Sequence, residues 1–517
     1  MSKTEKRKKH VSIRGQHLFL ALLSGILTAL AFPKFGLSFL AWVSLLPVLF
    51  VLGAQPPKAS FFTGLVAGIG FNALLIYWIP AVPAHYADMS IGLSVIIYLL
   101  FVGYLAMFWG IFAWTFSRIR SVFPRLVYFL VPFVWVALEY ILTHLFTGFP
   151  WGLIGNSQYL NLWLLQLAPL AGVYGVSFVI LFFQSMFVFS FRQKKRMPFL
   201  AAVIAVTAIH AAGWYIVKNA PHEHETFTAG VIQGNVPSDI YWNQVTEDFK
   251  RDLFRQHITL ARRGFNDGAR LIIWPEFSVP LCFSCPYGIY EEFKQELFRF
   301  VRETGSTLLI GTNETTPSGK GPLSYNTALC LHPDLTMSRY YKMHLVPFGE
   351  YIPYKTVFSF IQKMTHAIGD ITPGETHVLH EYGGHPFGSP ICYEIIFPAF
   401  VRAFVRKGAR FLVTITNDGW YGKSSAPYQH FAMAVFRAVE TRRYILRAAT
   451  TGVSGIIDPY GRILARSQMM TQTCLTARIA PREDLTPYVR YGDVLPVASL
   501  TLSAPFLIFG MFVRRNV

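Results

Sequence analysis

Three residues of different chemistry each stand beside an apolar, strand-like run: Cys392 in GSPICYEIIFP (388–398), Glu276 in RLIIWPEFSVP (270–280) and Lys342 in YYKMHLVPFGEYIP (340–353). A buried strand that turns sharply into a helix lifts one side chain to the sheet edge, where it can meet a substrate. A thiol so placed is a nucleophile once a base takes its proton and a donor holds the developing oxyanion. Glu276 is the candidate base, and Lys342 the cation that would favour the thiolate and hold the oxyanion. Taken singly, they read as a buried cysteine, a loop carboxylate and a solvated amine. Taken together they suit acyl transfer from an ester or amide through a thioester. Resolution of that thioester by water or by an amine separates a hydrolase from a transferase.

The elements that must hold these residues are of two kinds. Of the 517 residues, 53% are hydrophobic and 16% aromatic, a composition expected of a membrane protein. Apolar runs lie at about 18–32, 37–53, 60–79, 91–115, 123–141, 167–190, 198–217 and 494–513, which predicts eight spans. The basic head MSKTEKRKKH runs into the first without a convincing cleavage site, so a retained helix is expected. From about residue 228 the texture changes to short β-type runs alternating with helical ones, the pattern of one α/β domain. The expected domains are 1–219 with seven spans, 220–493, and 494–517 with the eighth.

The formal charge of +18 would point to nucleic acid if it lay on the α/β part. Instead it gathers at alternate ends of the spans: Lys3 to Arg14, then Lys58, Arg118 to Arg125, Arg192 to Arg196, and Arg514 with Arg515. Only Lys34 and Lys218 occupy the short segments on the other side. The positive-inside rule then puts both termini in the cytoplasm and residues 220–493 outside. Gly64 and Gly68 suggest close helix packing. Glu139, near the outer end of the fifth span, is a site candidate or a residue reaching the interface. Trp151, in the aromatic loop TGFPWG, belongs to an interfacial belt or shapes a lipid entrance.

Five cysteines (Cys282, Cys285, Cys330, Cys392, Cys474) are too few for a disulfide framework, and the CxxC of Cys282 and Cys285 has no second pair to complete a zinc site. HExxH, GxSxG, GxxxxGK[ST] and a strand-linked GxGxxG are all absent, and His222 with His224 read as a solvated turn. Neither a metal nor a cofactor is expected.

WPE, YYKMHLVPFGEYIP, ICYE and TNDGWYG, in this order, resemble the nitrilase superfamily. Joined to seven preceding runs, one following run, TGFPWG and VIQGNVP, the whole chain resembles the apolipoprotein N-acyltransferases of bacterial inner membranes. The resemblance implies an αββα sandwich facing the periplasm and a ping-pong reaction through a Cys-linked acyl intermediate. The donor would be the sn-1 chain of a phospholipid, and the acceptor the α-amine of a lipoprotein's N-terminal diacylglyceryl-cysteine. Carried over by motif, Cys392 is the nucleophile, Glu276 the base and Lys342 the oxyanion partner. Glu350 supports the lysine, Tyr393 and Glu394 position the site, and Trp242 contacts substrate from a mobile segment. Gly419, Tyr421 and Thr450 depart from the common Ala, Phe and Asn, which bears on loop geometry more than on chemistry. A monomer is expected. A water-resolved amidase and a transporter with a silent outer domain are the rival readings; Cys392→Ala would be harmless only in the second.

Overall fold

The computed structural model describes residues 14–86, 89–221, 225–236, 246–277, 283, 288–317, 319, 321–353 and 371–508. Trp242, Cys282 and Cys285 lie outside these residues. Where the sequence runs apolar without charge, a chain in hydrocarbon must satisfy its own backbone, and it does so as helix. Among the described residues, five helices are long and apolar enough to cross a membrane: Pro57–Leu75, Ile91–Val122, Val127–His144, Ala168–Gln193 and Met197–Lys218. The other expected spans coincide with the shorter apolar stretches Gly15–Leu30, Ser38–Leu52 and Val494–Ile508. A Cβ on Gly64 would come within 2.3 Å of the Trp109 carbonyl oxygen, so this glycine lets Pro57–Leu75 lie directly on Ile91–Val122. Large apolar side chains cover the outer faces, with Leu100 70% and Ile204 61% exposed, a surface suited to hydrocarbon rather than water.

Among the described residues, the α/β part has twelve strands in two six-stranded sheets. In chain order they are β1 (Phe227–Gln233), β2 (Leu271–Ile273), β3 (Thr307–Thr316), β4 (Leu323–Leu331), β5 (Met337–Tyr341) and β6 (Leu379–Tyr382). They continue with β7 (His385–Gly388), β8 (Phe411–Thr416), β9 (Ile445–Ala449), β10 (Gly455–Ile457), β11 (Ile463–Arg466) and β12 (Thr473–Ile479). One sheet has the order β12-β1-β2-β3-β4-β5, the other β11-β10-β9-β8-β7-β6. Strands β1, β2 and β3 are parallel neighbours, as are β7, β8 and β9, each joined by a helical crossover.

The period of two in the strands sorts side chains between two cores. Ile272, Leu308, Ile310, Leu329 and Leu331 pack with helices Glu247–Asn266 and Ile289–Thr304 on one side. Their immediate neighbours Leu271, Ile273, Leu309, Ala328 and Cys330 join the other core, shared with the second sheet. Beyond that sheet, helix Ala426–Thr441 is buried at every residue but Tyr428 and packs on Ala168–Gln193. The layers are therefore α, β, β, α, with the second helical layer resting on the apolar helix Ala168–Gln193.

Candidate active site

Cys392 follows the end of β7. Ile391 still bridges to Ile415, and Cys392 then takes φ +51°, opening the 3₁₀ turn Cys392–Ile396. A left-handed backbone at a residue with a Cβ is strained and is held by its surroundings. The expected strand-to-helix step is thus a strand, a 3₁₀ turn and then helix Pro398–Arg406. Glu394 anchors the turn. Its carboxylate accepts from the Ile391 N–H at 2.7 Å, the Tyr340 hydroxyl at 2.9 Å, and the N–H groups of Met343 and His344 at 2.7 and 3.0 Å. The same carboxylate therefore ties the Cys392 turn to the segment that leaves β5 with Lys342. Burial pushes the Glu394 carboxyl up to about 7, against the pull of these donors.

Glu276 enters just past β2, where Pro275 ends the strand. Its backbone runs so close to β3 that a Cβ on Gly311 would lie 2.4 Å from the Pro275 carbonyl and 2.5 Å from Glu276 Cα. One Glu276 oxygen accepts from Asn326 Nδ2 at 2.7 Å and faces Lys342 Nζ at 3.3 Å; the other accepts from the Asn417 N–H at 2.7 Å. Lys342 Nζ is 2.8 Å from Glu350, whose second oxygen accepts from the Val346 N–H at 2.8 Å. Lys342 is 1% exposed and Glu276 3%. Buried charges this close persist because each is paired and hydrogen-bonded.

The electrostatics fix the resting state. Burial disfavours the Lys342 ammonium, but Glu276 and Glu350 more than reverse this and hold its pKa well above the ordinary range. Burial raises the Cys392 thiol, the Glu276 charge raises it further, and Lys342 only partly opposes them. The resting sulfur is a thiol. Lys342 alone does not make it a thiolate.

Trp151 is 1% exposed, not part of an exposed belt. Its Nε1 donates to Gln429 Oε1 at 2.7 Å, and its ring stands 5.6 Å from that of His430 and 6.0 Å from that of Tyr421. Gln429 in turn donates to the carbonyls of Pro33 and Leu75 at 3.0 and 3.1 Å, so one amide joins the N-terminal helical part at two points to helix Ala426–Thr441. The Tyr393 hydroxyl donates to the Gly148 carbonyl at 3.1 Å. Glu139 is buried within the protein and accepts from Trp135 Nε1 at 3.0 Å and the Ile154 N–H at 2.8 Å, holding the loop that carries Trp151.

Glu276, Lys342, Glu350, Cys392, Tyr393 and Glu394 are therefore brought to one site. Sequence reasoning missed Asn326, which donates to both Glu276 and Glu350, the second at 3.1 Å. The signal was an amide inside the apolar run SYNTALCL. It also gave no role to Thr416 and Asp418 of TNDGWYG, or to His430 and Arg447. Arg447 bonds Asp418 at 2.8 Å, and His430 lies 2.9 Å from Asp418 and 3.1 Å from the Cys392 carbonyl. Burial would raise the Asp418 carboxyl, but Arg447 and His430 bring it down to about 2.

Residues 24–186 match the family model described as the apolipoprotein N-acyltransferase N-terminal domain, and residues 228–487 match the carbon-nitrogen hydrolase model. The chain is 34% identical over 496 residues to an apolipoprotein N-acyltransferase of Geobacter metallireducens, covering 94% of this chain and 93% of the relative. It is 33% identical over 484 residues to that of Methylococcus capsulatus, covering 92% of each. Among solved structures it is similar to Saccharomyces cerevisiae Nit3, of branch 10 of the nitrilase superfamily. That match has TM-score 0.39 and 18% identity, and covers 50% of this chain and 92% of the other.

Proposed function

The chain belongs to the apolipoprotein N-acyltransferase family, and from that premise we propose how its own residues carry the transfer. Cys392 is the nucleophile and Glu276 the base. Glu276 accepts the thiol proton as sulfur attacks the sn-1 ester carbonyl of a phospholipid, and a C–S bond forms. Lys342 holds the oxyanion of the tetrahedral intermediate. Collapse breaks the ester C–O bond, and Glu276 returns the proton to the departing glycerol oxygen. In the second half the α-amine of a lipoprotein's diacylglyceryl-cysteine attacks the thioester. A C–N bond forms, the C–S bond breaks, and the amine proton passes through Glu276 to the sulfur.

The observation that carries this reading is the buried Lys342 between two carboxylates, beside a cysteine kept as thiol until it reacts. Glu350 keeps Lys342 cationic and aimed; Tyr393 and Glu394 hold the nucleophile turn. Trp151 walls the site on its membrane side, and Trp242 contacts substrate. A thioester in a site walled by aromatic side chains is shielded from water, which favours aminolysis over hydrolysis. Residues 1–219 and 494–517 supply eight spans with both termini cytoplasmic, and residues 220–493 face the periplasm of an inner membrane. The enzyme works as a monomer.

The test uses the full chain in mixed micelles with a phospholipid labelled on its sn-1 acyl chain and a diacylglyceryl-cysteinyl peptide. Labelled triacyl peptide and lysophospholipid are expected in equal amounts. Free labelled fatty acid at the same rate with or without peptide would mean that water resolves the thioester, and would overturn the transferase reading.

A further inference from the structure

We propose that Thr416 is a further catalytic residue, whose hydroxyl rests on Asp418 while Cys392 is a thiol and turns to the sulfur when it becomes a thiolate. The inference rests on the acyl-transfer reading of Cys392.

Thr416 is the last residue of β8 and is fully buried. Its Oγ1 lies 3.2 Å from Cys392 Sγ and 3.0 Å from Asp418 Oδ1. A hydroxyl has one proton to donate and can serve only one of these at a time. The two states of sulfur make opposite demands on it. A thiol has a proton of its own to offer, so it can donate to Thr416 while Thr416 donates to Asp418. A thiolate only accepts, and the same hydroxyl must then point at it.

Asp418 is built to release the hydroxyl. Its Oδ2 keeps the Arg447 guanidinium at 2.8 Å, and its Oδ1 keeps His430 at 2.9 Å. Losing Thr416 therefore does not leave a bare buried carboxylate, which would be costly. Arg447, Asp418 and His430 are all fully buried, and His430 also reaches the Cys392 carbonyl. The network thus fixes both ends of the oxygen-to-sulfur approach.

Sulfur carries negative charge twice in the cycle. It does so when Glu276 has taken its proton and the C–S bond is forming, and again when that bond breaks to the attacking amine. A donor on sulfur stabilises both events. A thioester sulfur is a weak acceptor, so in the acyl-enzyme the hydroxyl goes back to Asp418. A purely structural threonine at the end of a strand would need its shape but not its hydroxyl.

The test compares Thr416→Val, which keeps the shape, with Thr416→Ser, which keeps the hydroxyl, in the full-length enzyme. Alkylation of Cys392 by iodoacetamide is followed by intact mass across pH. The other titratable groups facing the thiol are Glu276, Lys342, Asp418 and Tyr421, and all are unchanged in both variants. We expect Thr416→Val to move the alkylation profile up by about one pH unit and to slow single-turnover acylation and aminolysis roughly tenfold each. Thr416→Ser should stay within about threefold of wild type, since its hydroxyl forms the same bond. A wild-type profile for Thr416→Val, or a serine variant as slow as the valine one, would overturn the proposal. If the valine variant does not fold, Thr416→Ala against Thr416→Ser makes the same comparison. If wild type forms no acyl-enzyme at Cys392, the acyl-transfer reading fails, while the alkylation profile still decides the role of the hydroxyl.

Discussion

Replacing Lys342 by Met separates what this residue does for the fold from what it does for the reaction. Lys342 Nζ lies 3.3 Å from Glu276 and 2.8 Å from Glu350, and all three side chains are buried. Methionine fills nearly the same space but leaves two carboxylates facing each other across Asn326 without a cation. Breaking a buried pair from one side costs about 3–5 kcal/mol. Removing Glu350's charge as well, in Lys342→Met with Glu350→Gln, takes away most of that repulsion and should recover more than about half of the loss. Both variants lack the proposed oxyanion donor, so acyl transfer should fall about 10²–10³-fold in each. Thermal unfolding in detergent gives the stability, and labelled triacyl peptide gives the rate. A single variant as stable as wild type would refute the buried-pair reasoning. A double variant that regained activity would show that Lys342 acts only by neutralising Glu350.

Three further outcomes are expected. Gly311→Ala would put a Cβ 2.5 Å from Glu276 Cα, so Glu276 must shift; acyl-enzyme formation should drop by about 10² while the protein stays folded, and a near-wild-type rate would count against the placement of the base. The Glu394 carboxyl is lifted to about 7 from 4.5, so between these pH values the folded chain binds its proton more tightly than the unfolded chain does. Stability from this group therefore rises by roughly 3 kcal/mol as pH falls from 7 to 4.5, and Glu394→Gln should flatten that part of the melting profile; equal slopes would contradict it. Gln429→Leu removes its bonds to Trp151, Pro33 and Leu75 and should cost about 2–4 kcal/mol in thermal unfolding, whereas an unchanged melting temperature would mean the junction does not depend on it.

Much of the site was legible because charged residues stand next to apolar strands. WPE, YYK and ICYE each break a buried run with a group that must be paired, and the fold brings those groups together. The α/β pattern was legible for a similar reason, since alternate residues of β1 to β4 serve two cores. Span lengths were less legible. Apolar runs drift past helix ends, and Gly15–Leu30 is shorter than the long helices that follow it. Trp151 was ambiguous because an aromatic loop at a membrane face reads the same whether it lies in lipid or under a second domain. The Thr416, Asp418, His430 and Arg447 network has no local signal, since its members come from β8, the turn after it, a helix and β9. Glu394 lies two residues from the nucleophile, yet three of its four donors come from residues 340 to 344.

Intact-mass spectrometry of the full chain incubated with phospholipid shows whether Cys392 carries the acyl chain. Wild type should gain the mass of one acyl chain, hydroxylamine should remove it, and Cys392→Ala should gain nothing. An acyl adduct on Cys392→Ala, or none on wild type while triacyl peptide still forms, would contradict the account.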